Sequence, residues 1–260
     1  MGLGLYNKIT TIIFLSMIVI SCNQTTTKVV REQDRKINER TKTEDPNAIK
    51  PNPQPISVVI EKISSAQYDL ARQQASLNKK PIAKITDIKT VQKELEGIVT
   101  FEELDGYLGI KKINFRNGVT TDATYQLDEC SFSTYFPTED VLLLECGHTT
   151  DRSFNLKTGE DTYEVGNLNH VTTSPTGKYR LNKIFEGQEC FDHFIQEHQN
   201  GNYKKILELN EIFEKNTGKW LCVIAKEFWI DDYTLYFGLV TQYKEEYNEY
   251  EFYKVKIIVY

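Results

Sequence analysis

Apolar residues change their period along this chain, and the change divides it. Between Ile63 and Leu77 the spacing is helical, with Ile63, Ala66, Leu70 and Leu77 on one face. Ser64 and Gln67 stand at capping-box spacing, Ile63 and Tyr68 form a hydrophobic staple across them, and Asn78 and Pro81 end the helix. Asp87 caps a second short helix in which Ile88, Val91 and Leu95 share a face, and Gly97 stops it. From about Ile98 the period becomes two. Ile113 and Phe115 alternate with polar neighbours, as do Tyr233, Leu235, Phe237 and Leu239, and then Val255, Ile257 and Val259. Val141 to Leu144 is continuously apolar, the pattern of a strand covered on both faces. A short helix capped by Asn210 and ended by Gly218 interrupts this half.

Turn signals punctuate the strands at Pro137-Thr138-Glu139-Asp140, Lys157-Thr158-Gly159, Pro175-Thr176-Gly177 and Asn200-Gly201. Three segments echo one another by placing a turn before an alternating strand. They are Phe136 to Leu142, Ser174 to Leu181 and Trp229 to Leu235. The middle one resembles the Ser-Pro-Asp-Gly-Lys turn of β-propeller blades, and Asn155 to Glu160 resembles a later turn of such a blade. Unequal spacing argues against a closed propeller. The expected fold is mainly β: a propeller-like antiparallel meander over 98–260, behind a helical lead over 57–97.

The first 56 residues read differently. Lys8 is the only charge before Cys22, and Ile9 to Ile20 is an apolar run too short for a membrane span. Val19-Ile20-Ser21-Cys22 resembles the lipobox of bacterial lipoproteins, although Ile20 stands where a small residue is usual. The resemblance implies a signal peptide over 1–22, lipidation of Cys22 and a membrane anchor. Asn23 and Gln24 are not the retention aspartate of enteric lipoproteins, so it also implies the outer membrane, facing the periplasm. Residues 23–56 hold no glycine or aromatic residue but include Pro46, Pro51, Pro53 and Pro55; such a segment reads as a tether.

Composition narrows the function. A net charge of -6 without a basic stripe makes nucleic acid a poor partner. His148, His170, His193 and His198 show no metal-ligand spacing, so neither a metal nor another cofactor is expected. No nucleophile elbow or phosphate-cradling loop is present, so no catalytic residue is named. The alternative is an envelope hydrolase with a carboxylate pair drawn from runs such as Asp231-Asp232, Glu245-Glu246 and Glu249-Glu251.

Phe228 to Tyr260 holds eleven aromatic residues, more than alternation can hide on one face. Tyr236, Tyr243, Tyr247, Tyr250 and Tyr253 are therefore a candidate surface for a protein partner or envelope glycan, bound without chemistry in an inhibitory, immunity or assembly role. Beyond Cys22, four cysteines remain, Cys130, Cys146, Cys190 and Cys222, and an even number in an oxidising compartment implies two disulfides. A turn centred on Thr138 sets Phe136 opposite Asp140 and Cys130 opposite Cys146, which leaves Cys190 to Cys222 by exclusion.

Overall fold

The computed structural model describes residues 56–75, 81–104, 106–122, 125–147, 149–187 and 190–260. The segments expected to be a signal peptide (with Cys22) and a tether, apart from Ile56, and also Leu77, Asn78 and His148, lie outside them. In chain order the elements begin with β1 (Ile56–Ile63), α1 (Ser65–Gln74) and α2 (Ile88–Glu94). Five strands follow: β2 (Val99–Leu104), β3 (Tyr107–Ile113), β4 (Cys130–Phe136), β5 (Val141–Cys146) and β6 (Thr150–Asn155). After α3 (Thr162–Val165) come β7 (Thr172–Thr173), β8 (Tyr179–Phe185), β9 (Phe191–Gln199) and β10 (Asn202–Glu208). The chain closes with α4 (Leu209–Thr217), β11 (Ile224–Trp229), β12 (Thr234–Tyr243) and β13 (Asn248–Val259).

The protein is mainly β, and every strand pairing among the described residues is antiparallel. Three sheets form, in the orders β2-β3-β4-β5-β6, β10-β9-β8-β7 and β1-β13-β12-β11. Each is a meander of sequence neighbours except the last, whose outer strand comes from the beginning of the described chain. The segment read as a helical lead thus opens with a strand, and Ile56 belongs to β1 rather than to a tether. Ile56, Val58 and Ile60 pack on the core beneath β12 and β13. Their partner lies about 200 residues away (Ile56 against Val259), so local periodicity had no access to the pairing.

The capping box forms: Ser64 accepts from the Gln67 amide while the Gln67 side chain accepts from the Ser64 backbone. The buried face of α1, however, is Tyr68 and Ala71, and Leu70 is 58% exposed. The Tyr68 ring lies 4.3 Å from Phe252 and 5.3 Å from Phe228, and its hydroxyl donates to the Lys226 carbonyl. A tyrosine can serve the core with its ring and a buried carbonyl with its hydroxyl, which rotates the helix away from the purely aliphatic stripe. In α2 the Asp87 cap holds, Val91 and Leu95 are buried, and Ile88 is exposed.

Val141 to Leu144 is covered on both faces. Leu142 and Leu144 join a core with Leu95, Ile113 and Phe154, while Val141 and Leu143 join another with Phe136 and Leu168. Leu235, Phe237 and Leu239 share a third core with Phe213 of α4, Val255 and Ile257. Gly218 ends α4 in the left-handed conformation, as expected. Asn210 does not cap it. Its carboxamide instead donates to the carbonyls of Phe191 (3.1 Å) and Leu221 (3.0 Å) and accepts from the His193 backbone amide and ring Nδ1, both at 2.9 Å. Four bonds to neighbouring chain segments outweigh one bond to its own helix.

Candidate functional site

The three echoing turns join β4 to β5, β7 to β8 and β11 to β12, the first between inner strands of its sheet and the other two at a sheet edge. They also meet in space. The Thr176 amide and hydroxyl donate to Asp232 at 3.0 and 2.5 Å, and Lys178 Nζ lies 2.7 Å from the Tyr233 hydroxyl. Arg180 reaches across to the first turn, its Nη1 2.9 Å from both Glu139 oxygens. The guanidinium is buried, donates from Nε to Gln196 at 2.6 Å and lies 3.8 Å over the Tyr203 ring. Beside it a cavity of about 20 Å³ has room for roughly one water. Gly166 at φ +76° closes the interior here, because a Cβ would stand 2.2 Å from the Asn182 carboxamide. The two ends of the unit lie at this same terminal end: Ile56 faces Val259, and the Ser57 hydroxyl is 3.3 Å from that of Tyr260.

At the opposite end of the strands lie both disulfides. Cys130–Cys146 and Cys190–Cys222 form as expected, with Cα separations of 4.0 and 4.6 Å. The register that produces the first differs near the turn. Phe136 faces Val141 across a four-residue turn, and a bulge at Ser133 then restores Cys130 opposite Cys146. The second bridge is reinforced by the Phe191 amide on the Cys222 carbonyl at 3.0 Å and by the Asn210 bonds. Because Asn210 Oδ1 accepts from His193 Nδ1, the imidazole proton sits on Nδ1. Nε2 is left buried with no hydrogen-bond partner. Burial pushes the His193 pKa down to about 3.

The same end knits the sheets together. Lys183 of β8 pairs with Glu227 of β11 at 2.7 Å, and Glu227 also accepts from Thr172 of β7 at 3.1 Å. Asp151 of β6 accepts from the Phe185 amide at 2.8 Å. His170 packs edge-on to Phe191, and burial lowers its pKa. Among the described residues, no group of three or more His, Cys, Asp or Glu side chains is placed to hold a metal ion.

The five candidate tyrosines separate. Tyr253 is 1% exposed, its ring against Phe213 and Phe237 and its hydroxyl on Glu251, so it is core rather than surface. Tyr236 stacks on Phe228 at 5.2 Å. Tyr250 is half-buried under the Lys226 ammonium, 3.9 Å from its ring. Tyr243 and Tyr247, at the β12–β13 hairpin tip, are 65% and 58% exposed. Trp220, which sequence reasoning missed, is 63% exposed. It follows Lys219, whose ammonium reaches Glu251 of β13 at 2.6 Å, and precedes Cys222 by two residues, so it belongs to this end too. A tryptophan two residues before a cysteine and outside any alternating run was the available signal.

Several of the candidate carboxylates have structural partners. Glu251 accepts from Lys62 (2.8 Å), Lys219 and the Tyr253 hydroxyl (2.7 Å); these bonds, Lys219 foremost, draw its pKa down to about 2. Asp232 holds Thr176, and Glu249 pairs with Lys244. An open groove of about 440 Å³ beside β2 and β3 is lined by residues that include Thr100, Lys111, Lys112, Leu127 and Asp128. Comparison with known proteins returns no match: no family model, curated protein or solved structure is significantly similar to this chain.

Proposed function

We propose that this chain is a lipoprotein, acylated on Cys22 and carried on the outer membrane facing the periplasm, whose β unit binds a protein partner or envelope glycan without catalysing a reaction. The supporting observation is the exposure of Tyr243, Tyr247 and Trp220 at one braced end of the unit. Aromatic side chains left in water contribute little to the core, and they are the residue types that dominate binding hot spots. In the same reading the three meanders are propeller-like blades, with β1 supplying the outer strand of the last.

The test is affinity capture from envelope extracts with the wild-type chain and a Tyr243→Ala/Tyr247→Ala variant. Retention of one protein or glycan by the wild type and its loss in the variant is expected; equal retention by both would overturn this surface. For the anchor, Cys22→Ser should abolish membrane fractionation or leave the precursor uncleaved.

A further inference from the structure

We infer that two copies of this chain join through β1, the two strands pairing antiparallel about a twofold axis at Val59. A sheet edge exposes a row of unpaired backbone amides and carbonyls, and folded proteins blunt such edges with short strands, bulges, charges or covering segments. Among the described residues the three sheets leave six edge strands, and five of these are blunted. β7 has two residues. β2 is bulged between Thr100 and Phe101 and exposes Glu102 and Glu103. β10 is bulged between Lys205 and Leu207 and carries Lys204 and Lys205. β11 breaks register between Ala225 and Phe228, where Lys226 takes φ +58°, and its Trp229 indole donates to the Thr172 carbonyl of β7. β6 is covered by the chain that follows it, through the Phe154–Asp161 bridge and the Ser153 amide on the Thr162 hydroxyl.

β1 has none of these devices. Its eight residues pair with β13 in unbroken register, and Ile56-Ser57-Val58-Val59-Ile60 contains no charge, proline or glycine. Every second residue of an antiparallel pair turns its amide and carbonyl to the other side, so half of β1 presents backbone groups away from β13. Ile56, Val58 and Ile60 are only half-buried at the margin of the core, and Val59 is 52% exposed. The two charges of the strand are engaged within the chain, Glu61 with Lys254 at 3.3 Å and Lys62 with Glu251 at 2.8 Å. A second β1 is the occupant that fits, because the strand is self-complementary. With the axis at Val59, Val59 faces the second copy's Val59 and Val58 faces the second copy's Ile60, apolar against apolar on both faces of the sheet. Ser57 then faces the second copy's Glu61 and Ile56 the second copy's Lys62, so no like charges stand opposite. An axis at Ile60 would set Val58 against Lys62 and Val59 against Glu61, and an axis at Val58 would shorten the ladder. The ladder from Ile56 to Lys62 is about 20 Å long and joins two sheets into one. A single ladder lies at the small end of specific interfaces, so association depends on concentration in the micromolar range. Because the axis reverses strand direction, the hairpins bearing Tyr243 and Tyr247 stand at opposite ends of the joined sheet.

The experiment uses the full chain with both native disulfides intact, carrying Cys22→Ser so that residue 22 forms no bridge. In sedimentation velocity from about 1 to about 100 µM, the mass should rise from one copy toward two. Val59→Glu sets like charges face to face at the axis while lying opposite Lys256 of its own β13, so it should hold the folded chain at one copy over that range. Mixing it with Val59→Lys should restore association. Oxidative cross-linking then reads the register. Val59→Cys brings its two copies to about 5 Å between Cα atoms, within disulfide reach, whereas the two copies of Glu61→Cys lie about 14 Å apart along the strands. Val59→Cys should therefore yield at least about tenfold more cross-linked dimer than Glu61→Cys. A chain that remains a single copy at about 100 µM would overturn the inference and assign the edge to another occupant. A dimer in which Val59→Cys cross-links no better than Glu61→Cys would overturn it as well, by placing the contact elsewhere.

Discussion

His193 makes the stability of this fold sensitive to mild acid. Its imidazole is buried, its single proton is committed to Asn210, and Nε2 has no partner to share a second proton. In the unfolded chain the ring takes up a proton near pH 6.5; in the folded protein it does so only near pH 3. Between those values the unfolded state binds more protons, so stability is fully present above about pH 6.5 and is lost as pH falls. At about 1.4 kcal/mol per pH unit, pH 5 should cost about 2 kcal/mol relative to pH 7, with a ceiling of about 5 kcal/mol near pH 3. The upper window isolates histidine, because Glu251 and Asp232, whose folded pKa values are lowered, lose their contribution only as pH drops through the carboxylate range. His170 adds a contribution of the same sign, since burial lowers it too. His193→Asn keeps a donor toward Asn210 but cannot titrate. Denaturant unfolding at pH 7 and pH 5 should show the variant less stable at pH 7 and less sensitive to the change by about 2 kcal/mol. An identical pH dependence in both proteins would refute the reasoning.

Three further outcomes follow from the packing. Glu139→Gln leaves the buried Arg180 guanidinium without its counter-charge and should lower stability by about 3 kcal/mol in equilibrium unfolding. Gly166→Ala combines a positive φ with a Cβ 2.2 Å from Asn182, so a loss of more than about 2 kcal/mol is expected; an unchanged unfolding midpoint would contradict the close approach. Replacing Cys130 and Cys146 together with serine opens a link spanning 16 residues and should cost about 3 kcal/mol, while non-reducing peptide mapping of the variant still finds Cys190 joined to Cys222.

The features legible in the sequence are those whose physics is local. The Ser64–Gln67 capping box, the Asp87 cap and the left-handed Gly218 stop each depend on residues within one helical turn. The four apolar residues Val141 to Leu144 suit a strand buried on both sides, because alternation sends successive side chains to opposite faces, and the strand forms with both faces covered. The Cys130–Cys146 bridge was readable because hairpin partners are set by counting from a turn. The count survived an error of one residue beside Phe136 only because the bulge at Ser133 compensates for it.

Local chemistry thus specifies the order of the helices and turns and the pairing of cysteines across one hairpin. The rest required the assembled structure. β1 is a strand because β13 offers it an edge, and that contact exists only after both have been brought together. Tyr253 and Tyr247 are the same residue type a few positions apart, yet one lies beneath Phe213 and the other in water. Asn210 was chemically suited to cap a helix and was drawn instead to His193, Phe191 and Leu221. In each case the deciding free energy is an interaction with a segment distant in sequence, and neither periodicity nor spacing carries information about which distant surface a residue will meet.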